Sequence, residues 1–325
     1  MKIASTQRAL ATSGHQAFPH GVMLPTGDVM VVWRRSSAHA GGTESTIRLS
    51  TSPDNGVTWT PSRQPFMEPG MDLRDPALAV TSLGLVLSYF KYPSFSTITS
   101  WVRLSTDNGV TWGPERRVAL SSGMALSSPV VESGGRLIQV CYDTNGSGFD
   151  SIRMAESVDA ATWFNRRVLA SGPLEGRDLN EPVLVEGSGG VLHIFHRWGM
   201  ADSIGHMTSV DSGSTWSTPR EALEGISGRP STLRLASGRL VLVARRVGAD
   251  KAALVTSSVD EGLTWETPRI LEVPEDLMTY AALVEVTPGV VLCVFGSQAS
   301  PSTSTLYTRY LLEKTGVTPR GELVT

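Results

Sequence analysis

A short pattern recurs five times along the chain, as SPDNGVTW (Ser52–Trp59), STDNGVTW (Ser105–Trp112), SVDAATW (Ser157–Trp163), SVDSGSTW (Ser209–Trp216) and SVDEGLTW (Ser258–Trp265). Its aspartates, Asp54, Asp107, Asp159, Asp211 and Asp260, lie 53, 52, 52 and 49 residues apart. A fixed period of that length marks a repeat architecture, in which no unit buries its apolar face without its neighbours. Within a copy, the aspartate caps a turn beside a glycine that accepts positive φ. Alternating apolar residues such as Ile47-Arg48-Leu49 and Val102-Arg103-Leu104 precede the turn, so it joins antiparallel strands. Five of the eight tryptophans close these copies, one packing plate per repeat. The motif therefore reads as structural despite its carboxylates. In the third copy Ala161 replaces the glycine, which predicts a strained turn or one of another type.

Each repeat opens alike, on a polar or aromatic residue, usually a proline, and a short apolar strand. The openings are FPHGVML at Phe18, DPALAV at Asp75, SPVVES at Ser128, EPVLVE at Glu181, RPSTLRL at Arg229 and YAALVEV at Tyr280. Six openings against five turn motifs leave the last repeat short of a strand. Ile3–Leu10 is its natural donor, and Val317–Val324 is the alternative. The pattern predicts an all-β fold: a six-bladed β-propeller of four-stranded antiparallel blades, its ring closed by a terminal strand, forming one domain over 1–325.

Composition agrees with many short strands, at 40% hydrophobic residues with 32 Gly and 19 Pro. A net charge of −3 creates no global field for nucleic acid or anionic membrane. Cys141 and Cys293 fall on second strands of different repeats, which argues against a disulfide. The start of the chain has no apolar signal core and no stretch reaches membrane-spanning length, so the default expectation is cytoplasmic, without membrane insertion. No metal-ligand spacing, phosphate loop or dinucleotide fingerprint occurs, and no cofactor is expected.

In a propeller the first strand of each blade lines the central tunnel, so Phe18, Asp75, Ser128, Glu181, Arg229 and Tyr280 should form a ring at one mouth. A structural ring would repeat one residue type, and this one is chemically mixed. Sixteen residues on, at the end of each second strand, stand Arg34, Lys91, Thr144, Arg197, Arg245 and Gly296. Four of these six are basic in an acidic protein, which reads as a cationic funnel for an anionic ligand. Arg197 and Arg229 are the leading ligand contacts beside Glu181. Lys91 reads as a solvated rim charge, and His39 and His196 taken singly read as ordinary polar residues.

The S-x-D-x-G-x-T-W copies resemble the Asp boxes of the sialidase (neuraminidase) superfamily over essentially the whole chain. The resemblance implies a catalytic pairing of Glu181, in NEPVLVE, with Tyr280, in TYAALVEV. It implies that Arg197 and Arg229 grip a sugar carboxylate, and that Arg34 or its neighbour Arg35 lines the substrate pocket. Two positions depart from the family. The first clamping arginine falls on Ala17, and the loop expected to carry the acid/base aspartate, Ser36–Glu44, holds His39 and Glu44 but no Asp. Asp75 matches a second-blade aspartate that contacts substrate.

The mechanism so implied is that of a retaining exo-glycosidase acting on an anionic glycan, with Tyr280 as nucleophile and Glu181 as its base. Nearby arginines are expected to favour the phenolate. Asp75, or in second place His39, would protonate the leaving oxygen, and Arg245 joins the substrate contacts. The alternative is a non-catalytic glycan-binding propeller, such as a surface or virion adhesin.

Overall fold

The computed structural model describes residues 1–39, 45–93, 97–118, 123–143, 151–199, 203–274 and 277–325, without the side chain of Thr279. Its strands are β1 (Lys2–Ala11), β2 (His15–Met23), β3 (Val29–Ser36), β4 (Thr46–Ser52), β5 (Leu73–Thr81), β6 (Gly84–Lys91), β7 (Thr99–Ser105) and β8 (Arg116–Arg117). There follow β9 (Met124–Leu126), β10 (Val131–Ser133), β11 (Arg136–Asp143), β12 (Ile152–Ser157), β13 (Phe164–Ala170), β14 (Leu179–Glu186), β15 (Leu192–Trp198), β16 (Ser203–Ser209) and β17 (Arg220–Glu224). The last are β18 (Ser227–Arg234), β19 (Leu240–Arg246), β20 (Ala252–Ser258), β21 (Arg269–Glu272), β22 (Leu277–Thr287), β23 (Val290–Ser300), β24 (Thr303–Leu312), β25 (Gly316–Val317) and β26 (Leu323–Val324).

These strands form an all-β propeller. Four blades stand as separate antiparallel sheets, β5–β8, β9–β13, β14–β17 and β18–β21. A seven-stranded mixed sheet holds two meanders, β22-β23-β24 and β2-β3-β4, joined at one parallel bridge between His15 and Ser304. β1 pairs antiparallel with β24, from Lys2 opposite Leu312 to Ala11 opposite Leu306. The other candidate for that edge is folded elsewhere, β25 pairing with β26 as a hairpin.

The core lies between meanders. Val29, Val31 and Trp33 of β3 pack against Val284 and Leu292 of β22 and β23. Clusters of the same kind join β3 to β6, β6 to β11, β11 to β15, β15 to β19, and β19 to β23, which carries the packing round a full circle. The β2, β5, β10, β14, β18 and β22 strands all line one axial cavity of about 670 Å³, through residues such as Val22, Leu78, Val131, Leu184, Thr232 and Leu283. The two cysteines are buried and unpaired.

The turn motifs lock neighbouring meanders together. In the first copy Ser52 Oγ donates to Asp54 Oδ1 at 2.8 Å, and Asp54 accepts from the Thr58 N–H (2.8 Å) and hydroxyl (2.6 Å). The second, fourth and fifth copies repeat that set. Gly56 takes φ of 91°, and a Cβ there would meet Leu292 of β23 at 2.7 Å, so the glycine serves both conformation and close approach.

The third copy has a turn of another type, as its alanine implies, but through a shortening rather than a simple exchange. SVDAATW is one residue shorter, so Ala161 does not stand in the glycine's place. Ala160 alone turns to positive φ (57°), and Asp159 accepts from the N–H groups of Ala161 and Thr162 at 2.8 and 2.7 Å. The shorter turn leaves its Trp163 fully buried, whereas Trp59, Trp112, Trp216 and Trp265 are half-buried.

Candidate functional site

The first strands lose register with their neighbours where the ring residues stand. Three residue steps of β5, Arg74 to Ala77, span two of β6, Phe90 to Ser88. The same offset recurs at Ala17–His20, Asn180–Val183 and Met278–Ala281, and a larger one at Ser227–Ser231. An extra residue on one strand is a bulge, which re-aims a side chain out of the usual alternation. At these bulges Phe18, Asp75, Glu181 and Tyr280 take φ of 56°, 46°, 47° and 66°. Left-handed backbone costs a residue with a side chain about 1–3 kcal/mol, and such strain gathers at functional sites. Beside Arg229 the positive φ falls on Gly228 (78°).

The bulges lie at the end of the sheets opposite the turn motifs. β6 pairs with β7 from Leu85 opposite Ser105, where a turn motif begins, to Lys91 opposite Thr99, where the β5 bulge begins. The axial cavity is lined by residues beyond the bulges, toward the turn-motif end, and holds none of the ring carboxylates or Tyr280.

At the bulged mouth the Tyr280 hydroxyl donates to Glu181 Oε1, and Arg197 Nη1 donates to Glu181 Oε2 at 3.1 Å. Arg229 Nη1 donates to Asp75 Oδ1 at 3.1 Å. The guanidiniums of Arg229 and Arg245 stand 4.8 and 4.9 Å from the centre of the Tyr280 ring. Asp75, Glu181, Arg197, Arg229 and Tyr280 thus form one connected cluster, with Arg245 against it. Phe18 lies beside them, its ring centre 5.7 Å from that of Tyr280.

The environment separates the two carboxyl groups. Burial pushes Asp75 up to about 6, against the opposing charges of Arg229 and Arg74; the ion pair does not outweigh the lost hydration. Burial also acts to raise Glu181, but Arg197, Arg245 and the Tyr280 hydrogen bond together hold it below the usual carboxylate range. Tyr280 is pushed up to about 12, by burial first and then by the Glu181 charge, against Arg245 and Arg197. The arginines act toward the phenolate as expected, but burial and the Glu181 charge outweigh them.

Of the other sequence candidates, Arg34 and His39 stand at this mouth against Phe18, whereas Arg35 and Lys91 do not join the cluster. Arg34 is fully buried and held by Asp72 Oδ1 (2.8 Å), Ser45 Oγ (3.1 Å) and the Ala38 carbonyl (2.8 Å). Arg35 points from the opposite face of β3, exposed, with Nε donating to the Ser13 carbonyl at 3.3 Å, away from the cluster. His39 packs edge-on to Phe18 at 5.6 Å and His15 at 5.3 Å, and burial with the nearby arginine charges pushes it down to about 4. Lys91 is ion-paired to Glu68 and Glu115 over the Trp101 ring. Glu44 and Thr144 lie outside the described residues.

Two residues at this mouth escaped sequence reasoning. Arg74 precedes Asp75 on the bulge, and its guanidinium stands 5.1 Å from the Phe18 ring centre and 5.2 Å from that of Tyr92. Tyr142 packs with Phe90, Ile98 and Ala125, and its phenol is pushed up by burial, then by the charges of Glu181 and Asp75. Neither falls on the ring or on the sixteen-residue step, although an Arg directly before a bulged Asp is a signal visible in LRDP.

No family model matches the sequence, and no curated protein matches it. Solved structures do. A protein of unknown function from Dyadobacter fermentans is similar at 17% identity and a TM-score of 0.81, covering 96% of this chain and 99% of that one. The leech intramolecular trans-sialidase complexed with 2,7-anhydro-Neu5Ac is similar at 14% identity and a TM-score of 0.74, over 96% of this chain and 70% of that chain. The α-L-arabinanase of Penicillium chrysogenum complexed with arabinobiose is similar at 14% identity and a TM-score of 0.72, over 95% and 97%. Likeness at this identity establishes a shared propeller fold, common to sialidases and to a glycosidase of another kind.

Proposed function

We propose that residues 1–325 form one six-bladed propeller, with β2–β4 as the first blade and β22–β24 completed by β1 as the last, working as a retaining, sialidase-like exo-glycosidase on an anionic terminal sugar. The continuous circle of core clusters and the six strands lining one cavity support the blade count. The observation that carries the activity is the part-buried hydrogen bond from Tyr280 to Glu181, set among arginines beside a second carboxyl group.

In this reading Tyr280 attacks the anomeric carbon while its proton passes to Glu181, which the arginines keep ionised and able to accept it. A phenol pushed up to about 12 needs that base at contact distance, since almost none is ionised at neutral pH. As the glycosidic C–O bond breaks, Asp75 gives a proton to the leaving oxygen; a carboxyl group near 6 is still partly protonated at working pH. Water then attacks the glycosyl-tyrosine, with Asp75 taking its proton and Glu181 returning one to the departing phenolate. A neutral nucleophile suits an anionic sugar, because a carboxylate would be repelled by it. No cofactor enters the scheme.

A glycan-binding propeller without turnover is the second reading, favoured by the same high phenol and by the absence of an arginine at Ala17. The test is incubation with aryl glycosides of sialic, related nonulosonic and uronic acids, following product stereochemistry by NMR, with a glycan array in parallel. Turnover with retained configuration supports the enzyme. Array binding without turnover supports the second reading, and neither result would defeat both.

A further inference from the structure

We propose that Arg74 is the guanidinium that receives the substrate's anionic group, while Arg197 and Arg229 serve the two carboxylates of the cluster. The inference rests on the glycosidase reading above and deepens it.

Five guanidiniums at this mouth, Arg34, Arg74, Arg197, Arg229 and Arg245, face three carboxylates, Asp72, Asp75 and Glu181. Three are committed: Arg34 to Asp72 at 2.8 Å, Arg197 to Glu181 at 3.1 Å and Arg229 to Asp75 at 3.1 Å. A substrate carboxylate taken by Arg197 or Arg229 would share a guanidinium whose charge is already offset by a carboxylate of the cluster. Among the described residues Arg245 also makes no ion pair and its buried Nε has no partner, but it stacks on Tyr280, donates to the Met278 carbonyl at 3.1 Å and acts on the Glu181 charge.

Arg74 is held differently. Phe18, Tyr92 and Phe90 frame its guanidinium at 5.1, 5.2 and 5.9 Å. Among the described residues it makes no ion pair; its Nη2 donates to the His39 carbonyl at 3.4 Å, and its buried Nε has no partner. Aromatic faces stabilise a cation without neutralising it, whereas a carboxylate does both. Arg74 is therefore a guanidinium without a carboxylate partner among the described residues, with N–H donors left for an anion. It is half-buried, next in sequence to Asp75, and against Phe18, which touches Tyr280. An anionic group there lies near Asp75, the proposed proton donor, and against Phe18, which neighbours Tyr280. Its class is a carboxylate on the sugar, matched to a planar donor fork.

The experiment is calorimetric and needs no turnover. Sialic acid and glucuronic acid are each titrated against their primary amides, on wild type, Arg74→Met, Arg74→Lys and Arg229→Met. The amide keeps size and loses charge, and it controls for folding, since a damaged pocket weakens acid and amide alike. The wild type is expected to prefer an acid over its amide, Arg74→Met to lose that preference by about tenfold or more, and Arg74→Lys to keep part of it. Arg229→Met should weaken acid and amide together and leave their ratio. A wild-type preference that persists in Arg74→Met overturns this inference alone. A wild type that prefers neither acid overturns it together with the reading of an anionic substrate.

Discussion

The Tyr280 hydroxyl donates a hydrogen bond to Glu181, a residue 99 positions earlier in the chain, and both hold left-handed backbone at bulges of corresponding strands. A side chain on strained backbone costs stability that packing alone does not require, so the pairing marks where chemistry is to be sought. If Glu181 is the proton acceptor, Glu181→Gln keeps the shape and removes the base. Turnover of an anionic aryl glycoside should fall by about 10²–10⁴-fold, with ligand affinity within a few-fold of wild type. Unchanged turnover would remove Glu181 from the proton path.

The separated carboxyl groups give a pH profile with a definite sign. Glu181 must be ionised, so the acid limb of kcat/KM should lie below 4.5, the ordinary glutamate value. Asp75 must be protonated in the free enzyme, so kcat/KM should decline above about 6. Arg229 pulls Asp75 downward, and Arg229→Gln should therefore move the alkaline limb to higher pH. A limb that stays or moves lower contradicts Asp75 as the proton donor.

Acid should weaken the fold through buried histidines. His206 is pushed down to about 3 and His196 to about 4, each by burial first. His206 Nδ1 accepts from Arg220 at 2.8 Å, its Nε2 meets His193 Nδ1 at 2.9 Å, and His193 Nε2 meets Glu261 at 2.8 Å. A histidine whose folded value lies below the unfolded 6.5 contributes stability that is present above 6.5 and lost as pH falls toward the folded value. The melting temperature should fall steadily from pH 6.5 toward 4, and His206→Gln should flatten that fall. A melting temperature level across this window would contradict the neutral, buried chain.

The turn motifs differ in how deep their tryptophans sit, and stability should record it. Trp163 is 3% exposed and Trp112 half-buried. Trp163→Ala should cost about 3–5 kcal/mol, and Trp112→Ala about 1–2 kcal/mol. Urea unfolding checks the order; equal costs would mean that depth does not set the contribution.

Much of this was legible in the sequence because repetition copies the same local physics five times. The spacing of Asp54, Asp107, Asp159, Asp211 and Asp260 carried the strand order, and stacking the openings brought Asp75, Glu181, Arg229 and Tyr280 into one register. The step of sixteen reached the bulged end because Arg34, Arg197 and Arg245 each pair opposite a residue just before a bulge. It misled for Lys91, where Glu68 and Glu115, outside the register, neutralise the charge. Arg74 was missed because a bulge brings two consecutive residues to the mouth, and because its aromatic frame combines Phe18 of β2 with Phe90 of β6 and Tyr92 just after it. The outweighing of the arginines at Tyr280 was not legible because burial depends on how tightly the ring closes, which no single repeat records.

The most direct test of the account is turnover of an anionic aryl glycoside by wild type and by Tyr280→Phe. The substitution removes one oxygen, leaving the ring that packs on Phe18, Arg229 and Arg245. The account predicts measurable wild-type turnover, near-complete loss in Tyr280→Phe, and affinity and melting temperature close to wild type. Equal rates in the two proteins would contradict Tyr280 as the nucleophile.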